Sequence, residues 1–231
     1  MMVNNMKDLN FLKRNLIAYH GIYDNERIFE NTLQSYARAN KYGYLIQLDI
    51  KMMACGTLIC FHDDNLKRML HVDQNILDIS YDELSYISKY QIPTLNEVLD
   101  FIKGSVPLLF NIDTSLKKNL LEKAVAEVLD NYEGEFAICS HNKKCLKWFY
   151  KNRKDYVTGL VLDSSNYLKS LLFKKCDFFS MDINLYNDKY VRKLRENKFI
   201  IGYLVKTPLE YSNKKSVYEN LVVDNILENV E

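Results

Sequence analysis

Thr94-Leu95-Asn96-Glu97-Val98-Leu99-Asp100-Phe101-Ile102, then Gly104, then Val106-Pro107-Leu108-Leu109-Phe110-Asn111-Ile112 form one unit of the pattern that decides the fold. Thr94 is placed to cap a helix over residues 95–102, and Gly104 to end it in the left-handed conformation. Residues 106–112 follow as a dense apolar strand of the kind found in parallel sheets. Upstream, strands are expected at residues 16–19, 44–50 and 57–61, with a helix at 31–41 capped by Asn31 or Thr32. Ser80 or Asp78 opens a short helical turn through Asp82, Glu83 and Leu84. Downstream, helices at 117–129, 143–151, near 167–173 and at 189–196 alternate with strands at 136–139, 157–162, 178–181, 199–205 and 221–223.

Short strands alternating with helices pair in parallel through right-handed crossovers. Strands beginning near 16, 44, 106, 136, 157, 178, 199 and 221 make eight units, with 57–61 as an extra excursion. That count points to an α/β chain closed as a (β/α)8 TIM barrel. The rival, a doubly wound open sheet, needs fewer strands and usually a glycine-rich first turn, where this chain has only Gly21.

Composition removes several function classes. With 31 basic and 30 acidic residues in 231, net charge is +1 and the signs are mixed along the chain, so no nucleic-acid or anionic-membrane partner is indicated. The 48% hydrophobic content suffices for a full core, and one domain over 1–231 is expected. The cysteines at 55, 60, 139, 145 and 176 show neither disulfide nor zinc spacing. Residues 1–10 lack the apolar core of a signal peptide, and no run approaches the roughly 18 apolar residues of a membrane span. A cytoplasmic protein with no transmembrane segment is the expectation.

In a barrel, chemistry collects at the C-terminal ends of strands. Those ends carry Tyr19 and His20, Gln47 and Asp49, His62 and Asp63, Asn111 and Asp113, Ser140 and His141, Asp182, and Lys206. Residues two apart on a strand share a face, so Gln47 pairs with Asp49 and Asn111 with Asp113. Two uses are open. A hard divalent cation takes oxygen ligands from Asp49 and Asp113, with Gln47 and Asn111 as neutral supplements. An imidazole near neutrality serves as general acid or base, and His62 is the better placed. A third reading has Gln47, Asp49 and Asn111 merely satisfying strand-end groups, a buried unpaired polar group costing a few kcal/mol. His71 and His141 read as surface or loop histidines.

Ile17-Ala18-Tyr19-His20-Gly21, Glu30-Asn31-Thr32-Leu33, Ile46-Gln47-Leu48-Asp49-Ile50 and Phe61-His62-Asp63-Asp64-Asn65-Leu66-Lys67-Arg68 follow one another in an order and spacing specific to one family. With Ile92-Pro93-Thr94-Leu95, Glu97-Val98-Leu99, Val106-Pro107-Leu108-Leu109 and later likenesses at Trp148-Phe149, Gly202-Tyr203 and Val223-Asp224, nearly the whole chain resembles the bacterial glycerophosphodiester phosphodiesterases. The resemblance implies a (β/α)8 barrel with a small insertion after the second strand, here about 51–90. It also implies hydrolysis of glycerophosphodiesters to glycerol 3-phosphate and an alcohol. In that family two histidines act as acid and base, and magnesium or calcium is held by a Glu-x-Asp pair and a further glutamate.

Matched residue by residue, His62, Asp63 and Asp49 agree with the family pattern. Tyr19 stands where the first catalytic histidine belongs, His20 where the motif arginine belongs, Gln47 at the pair glutamate, Asn111 at the third ligand glutamate, and Asp113 at the motif lysine. Tyr203 replaces a tryptophan near the mouth, and Tyr19, Tyr203 and Lys206 are expected beside a bound small phosphodiester. Three carboxylate ligands fall to one, and two cations that would face the phosphate are gone. Losing one positioned acid or base alone is worth roughly 10²–10⁴-fold in rate. The resemblance therefore implies a degenerate active site, impaired toward glycerophosphodiesters, with magnesium or calcium absent or weakly bound and a ligand-binding or scaffold role. The alternative is an active enzyme in which a strand-end bulge turns His20 inward beside His62, with Asp113 joining Asp49 on the metal.

Overall fold

Strand register and closure come from a continuous set of parallel pairings. In a computed structural model describing residues 7–112, 119–163, 173–185 and 187–225, nine strands form. They are β1 (Ile17–Tyr19), β2 (Leu45–Met52), β3 (Leu58–Cys60), β4 (Leu108–Asn111), β5 (Phe136–Ser140), β6 (Val157–Leu162), β7 (Phe178–Asp182), β8 (Phe199–Val205) and β9 (Asn220–Val223). All but β3 pair in parallel in the order β1-β2-β4-β5-β6-β7-β8-β9, and β9 returns to β1 with Ile17 opposite Val222. The result is the closed eight-stranded (β/α)8 barrel that the alternation predicts.

Between the strands lie α1 (Leu33–Lys41), α2 (Lys67–Leu70), α3 (Tyr81–Ile87), α4 (Leu95–Ile102), α5 (Leu120–Leu129), α6 (Lys143–Asn152), α7 (Asp188–Arg195) and α8 (Pro208–Lys214). Their starts are set by side chains that accept from otherwise unpaired N–H groups. Thr94 accepts from Glu97 N while the Glu97 carboxylate accepts from Thr94 N, a reciprocal box repeated at Ser80/Glu83 and Thr207/Glu210. Thr32, not Asn31, caps α1. Lys103 takes the left-handed C-cap of α4 that was expected of Gly104, which follows it at φ +73°. The helix expected near 167–173, the start of that expected at 117 and Asp113 lie wholly or largely outside the described residues.

Inside the barrel Ile17, Leu45, Leu109, Val157, Phe178, Ile201 and their neighbours form a packed apolar plug. Phe178 fills the space where a side chain at residue 159 would sit, so Gly159 is required there. Phe11 and Leu12, on a 3-10 turn at Asn10–Lys13, join this plug, and Asn220 Nδ2 donates to the carbonyls of Leu12 and Asn15. Helix-to-strand layers surround the barrel.

The segment after β2 departs from the βα repeat. β2 runs on to Met52 and pairs antiparallel with β3, Ile50 opposite Cys60. Met53, Ile59, Phe61, Leu66, Ile76 and Leu84 give this excursion a satellite core of its own. Phe61 N donates to Asp49 O at 3.1 Å and Cys60 N to Pro93 O at 2.9 Å. Those two bonds carry the residues just after β3 across the end of β2. His62 is thereby delivered to Asp49.

Candidate functional site

Strand alternation would send His20 outward after inward-facing Tyr19. The backbone reverses this: His20 has φ +57° and Gly21 φ +88°. A left-handed histidine costs energy and has to be held. His20 N donates to Gln47 O at 2.8 Å, and His20 O accepts from Asn31 N at 3.1 Å and Ser35 Oγ at 2.9 Å. A Cβ on residue 21 would lie 2.5–2.7 Å from Ser35 atoms, so only glycine permits this turn. The side chain of His20 is 2% exposed, stacked on the Tyr19 ring at 3.5 Å, with the His62 ring centroid 5.4 Å away.

Asp49 is the centre of the arrangement. Its Oδ2 lies 2.5 Å from His20 Nε2 and accepts from Asn31 Nδ2 at 3.1 Å, while Oδ1 accepts from Asn111 Nδ2 at 2.7 Å. Both amides are oriented by their other partners. Asn31 Oδ1 accepts from Tyr36 Oη and Asp49 N, and Asn111 Oδ1 from Cys139 Sγ at 3.7 Å. Burial opposes ionisation of Asp49, but the charge and contact of His20 outweigh it, helped by His62 and Asn111, and hold the carboxyl well below its usual range.

Behind the two imidazoles stands one guanidinium. His62 Nδ1 and Asp63 Oδ1 are 2.6 Å apart, and His20 Nδ1 lies 3.8 Å from Glu30 Oε1. Arg68 donates through Nε to Asp63 at 2.6 Å and through both terminal nitrogens to Glu30 at 3.0 and 2.6 Å. Burial resists the charge on Glu30 and on Asp63, yet the bonds from Arg68 keep both below the usual carboxylate range. Tyr19, raised by burial and then by the nearby Asp49, Glu30 and Asp224, stays a neutral phenol and is no base.

A cleft of about 810 Å³ opens above this group, with Asp49 and Asn111 on its floor and His62, Lys51, Lys67 and Arg68 among its walls. Each wall cation already has a carboxylate partner: Lys51 with Asp64, Lys67 with Asp73, Arg68 with Asp63. The Lys67–Asp73 pair is exposed and worth about 0–1 kcal/mol, whereas Lys51 is largely buried beside an exposed Asp64.

The sequence that builds this mouth is matched by a family model. Residues 19–172 fit that of the glycerophosphoryl diester phosphodiesterase family. The chain belongs to that family. It is 28% identical over 173 residues to human lysophospholipase D GDPD1, the match covering 67% of this chain and 53% of the relative, and 27% identical over 170 residues to the mouse protein. The chain thus spans about half the length of the curated relatives it matches. Among solved structures, the fold superposes on an Oleispira antarctica phosphodiesterase in complex with sn-glycerol-3-phosphate, with TM-score 0.81, 18% identity, and 93% and 94% of the two chains covered. The Thermotoga maritima glycerophosphodiester phosphodiesterase gives TM-score 0.76 at 20% identity, covering 91% and 95%.

The family works with a divalent cation, and the fit of this site to one depends on its donors. Magnesium and calcium take oxygen ligands, usually with more than one carboxylate. Of the three positions that the sequence resemblance assigns to ligands, Gln47, Asp49 and Asn111, only Asp49 carries a carboxylate, and Asn31 and Asn111 direct their NH2 groups at its oxygens. Gln47 is buried one turn of the pleat below Asp49. Among the described residues this oxygen set does not fit a hard cation. His20, Asp49 and His62, by contrast, each offer one ligand atom, all within 4.8 Å of one another.

Of the other expected site residues, Tyr203, like Tyr19, is partly buried and packs against the barrel plug. Lys206 lies beyond β8, its N donating to Glu210 Oε2 at 2.8 Å, and it does not line the cleft. His141 Nδ1 lies 3.0 Å from Asp163 Oδ2. Glu30, Asn31 and Arg68 do belong to the site, though sequence reading used them only as a cap and as motif members. The positive φ of Asn31, +54°, is one of the conformations that asparagine tolerates best, a signal available in Glu30-Asn31-Thr32. No helix among the described residues is long and apolar enough to cross a membrane.

Proposed function

We propose that this chain binds a small phosphodiester of the glycerophosphodiester class in the mouth cleft, with magnesium- or calcium-dependent hydrolysis strongly impaired. One observation carries the reading. Asp49, the one carboxylate at the positions the resemblance assigns to ligands, takes amide N–H bonds from Asn31 and Asn111 and lies against His20, in a set that does not fit the family's cation. His20 adds to this. Its ring nitrogens face Asp49 and Glu30, and the residue is absent from the cleft lining. His62 alone presents an imidazole to the cleft, oriented by Asp63, so one of the two acid–base partners is withdrawn from the ligand. Lys67, whose pair with Asp73 is exposed, supplies exchangeable charge for the phosphate.

The second reading is an active hydrolase in which His20 and His62 share the acid and base roles. The 5.4 Å separation of their rings favours it. It requires a nitrogen of His20 to leave the gap between Asp49 and Glu30 as ligand enters. Release of glycerol 3-phosphate decides between the two. It is assayed with glycerophosphocholine, glycerophosphoethanolamine and a lysophospholipid (the last because of the human relative's name), each at millimolar magnesium and calcium. Binding without release supports the first reading. Release that disappears in His62→Ala and in His20→Asn supports the second.

A further inference from the structure

The mouth retains a ligand set that suits a different kind of ion. We infer that His20, Asp49 and His62 form a site for a borderline divalent transition-metal ion of the zinc class. This deepens the proposed reading, in which the hard-cation site is gone. Imidazole nitrogen and a single carboxylate suit such ions, where magnesium and calcium want oxygen throughout.

Three observations converge. First, the three side chains each present a ligand atom within 4.8 Å of the others, on elements brought together by backbone hydrogen bonds rather than by the side chains themselves. Second, His20 is 2% exposed, and among the described residues neither of its ring nitrogens has an aligned hydrogen-bond partner. Its Nε2 lies 2.5 Å from Asp49 Oδ2, so the imidazole nitrogen and the carboxylate oxygen are already side by side where one ion would take both. Two ligands of one zinc-class ion stand roughly 2.9–3.4 Å apart, so the 2.5 Å pair opens by about 0.4–0.9 Å to receive one. An ion takes imidazole in its neutral form and carboxylate ionised, so binding is coupled to proton release.

Third, the supporting shell is of the kind that orients metal-bound imidazoles. A ligating histidine usually gives its other nitrogen to a carboxylate, which fixes the ring. Here His62 Nδ1 is held by Asp63, leaving Nε2 for the ion, and Glu30 lies behind His20 Nδ1. Arg68 bonds both carboxylates at once, fixing Asp63 against His62 and holding Glu30 beside the ring of His20. Asn31 and Asn111 do the same for the carboxylate ligand. His62, part-exposed in the cleft wall, leaves the ion's remaining positions open to water or to a phosphate oxygen.

The test uses the whole chain, stripped of metal and titrated with Co(II) and Zn(II), followed by visible absorption and calorimetry. One ion per chain is expected, at micromolar affinity or tighter. The d–d absorption should be that of a four- or five-coordinate nitrogen/oxygen site, with proton release seen as a buffer-dependent heat. His62→Ala should abolish the band in a folded protein. Asp63→Asn and Arg68→Met, which touch no ligand atom of the ion, should weaken binding by 10–100-fold. Absence of the band in folded wild-type protein overturns the inference, and so does a band that survives His62→Ala, since the ion then sits on thiols elsewhere. Magnesium or calcium binding as tightly as zinc would refute this inference and the proposed function together, whereas failure to bind any ion refutes this inference alone.

Discussion

His20 and Asp49 offer the most informative perturbation of the mouth, because each is almost wholly buried and the charge of one answers the other. Replacing His20 by Ala removes the group whose field and contact outweigh burial at Asp49. Asn31 and Asn111 remain, but they supply dipoles rather than charge. Breaking a buried pair this way typically costs about 3–5 kcal/mol at neutral pH. For a chain of this size each kcal/mol is worth about 2–4 °C, so Tm should fall by roughly 6–20 °C. Asp49→Asn made in the His20→Ala background removes the stranded charge and should recover part of the loss, with a coupling energy of about 1–3 kcal/mol. The pH dependence carries a definite sign. In wild type Asp49 has a depressed pKa, so its stabilisation is present above the unfolded value near 4 and is lost as pH falls through the lower folded value. In His20→Ala the largest influence opposing burial is lost and only His62 and Asn111 still favour the charged form, so the Asp49 pKa rises relative to wild type and the deficit should shrink as pH falls from 7 and Asp49 is protonated. Urea denaturation of wild type, His20→Ala, Asp49→Asn and the double variant with chelator present, at three pH values, measures all of this. Additivity of the two substitutions within about 0.5 kcal/mol, or a deficit that does not change with pH, would refute the reasoning.

Gly21→Ala should cost about 2–5 kcal/mol, from left-handed backbone strain plus overlap with Ser35, and should expose His20 to modification by diethyl pyrocarbonate; a loss under 1 kcal/mol would mean the turn is not held as described. Thiol titration at pH 8 should find Cys55, exposed and with its pKa lowered chiefly by the Thr57 hydroxyl, fast with a disulfide reagent. Cys60 and Cys176, the latter pushed up to about 12 by burial, should react only on unfolding, and Cys55→Ser should remove the fast phase. Phe178→Ala, which empties the plug beside Gly159, should cost about 3–5 kcal/mol by equilibrium denaturation while leaving the mouth chemistry in place.

The barrel was legible because its signals are local. Thr94 with Glu97 fixes where α4 begins, and apolar runs such as 157–162 and 199–205 coincide with β6 and β8 to the residue. Where a local rule was overlooked, an element was missed: Thr207, Pro208 and Glu210 spell a helix start, yet α8 was not expected. The site was legible only in part, because its geometry rests on long-range pairing. Strand alternation alone turns His20 away from Asp49, and only the carbonyl anchors at Asn31 and Ser35 show why it faces in. The bridge from Arg68 to Glu30 spans 38 residues, and no periodicity reveals it. Asn31 looked like a helix cap because asparagine caps helices well, whereas Thr32 took that place and freed the amide for Asp49.

A calorimetric titration of magnesium and of calcium into metal-free protein, run beside the double variant Gln47→Glu/Asn111→Glu, addresses the heart of the account. Wild type should show no binding heat at millimolar concentrations, and the variant, with carboxylates returned on either side of Asp49, should gain a single site for a hard cation. Stoichiometric binding of either ion to the unaltered chain would contradict the account.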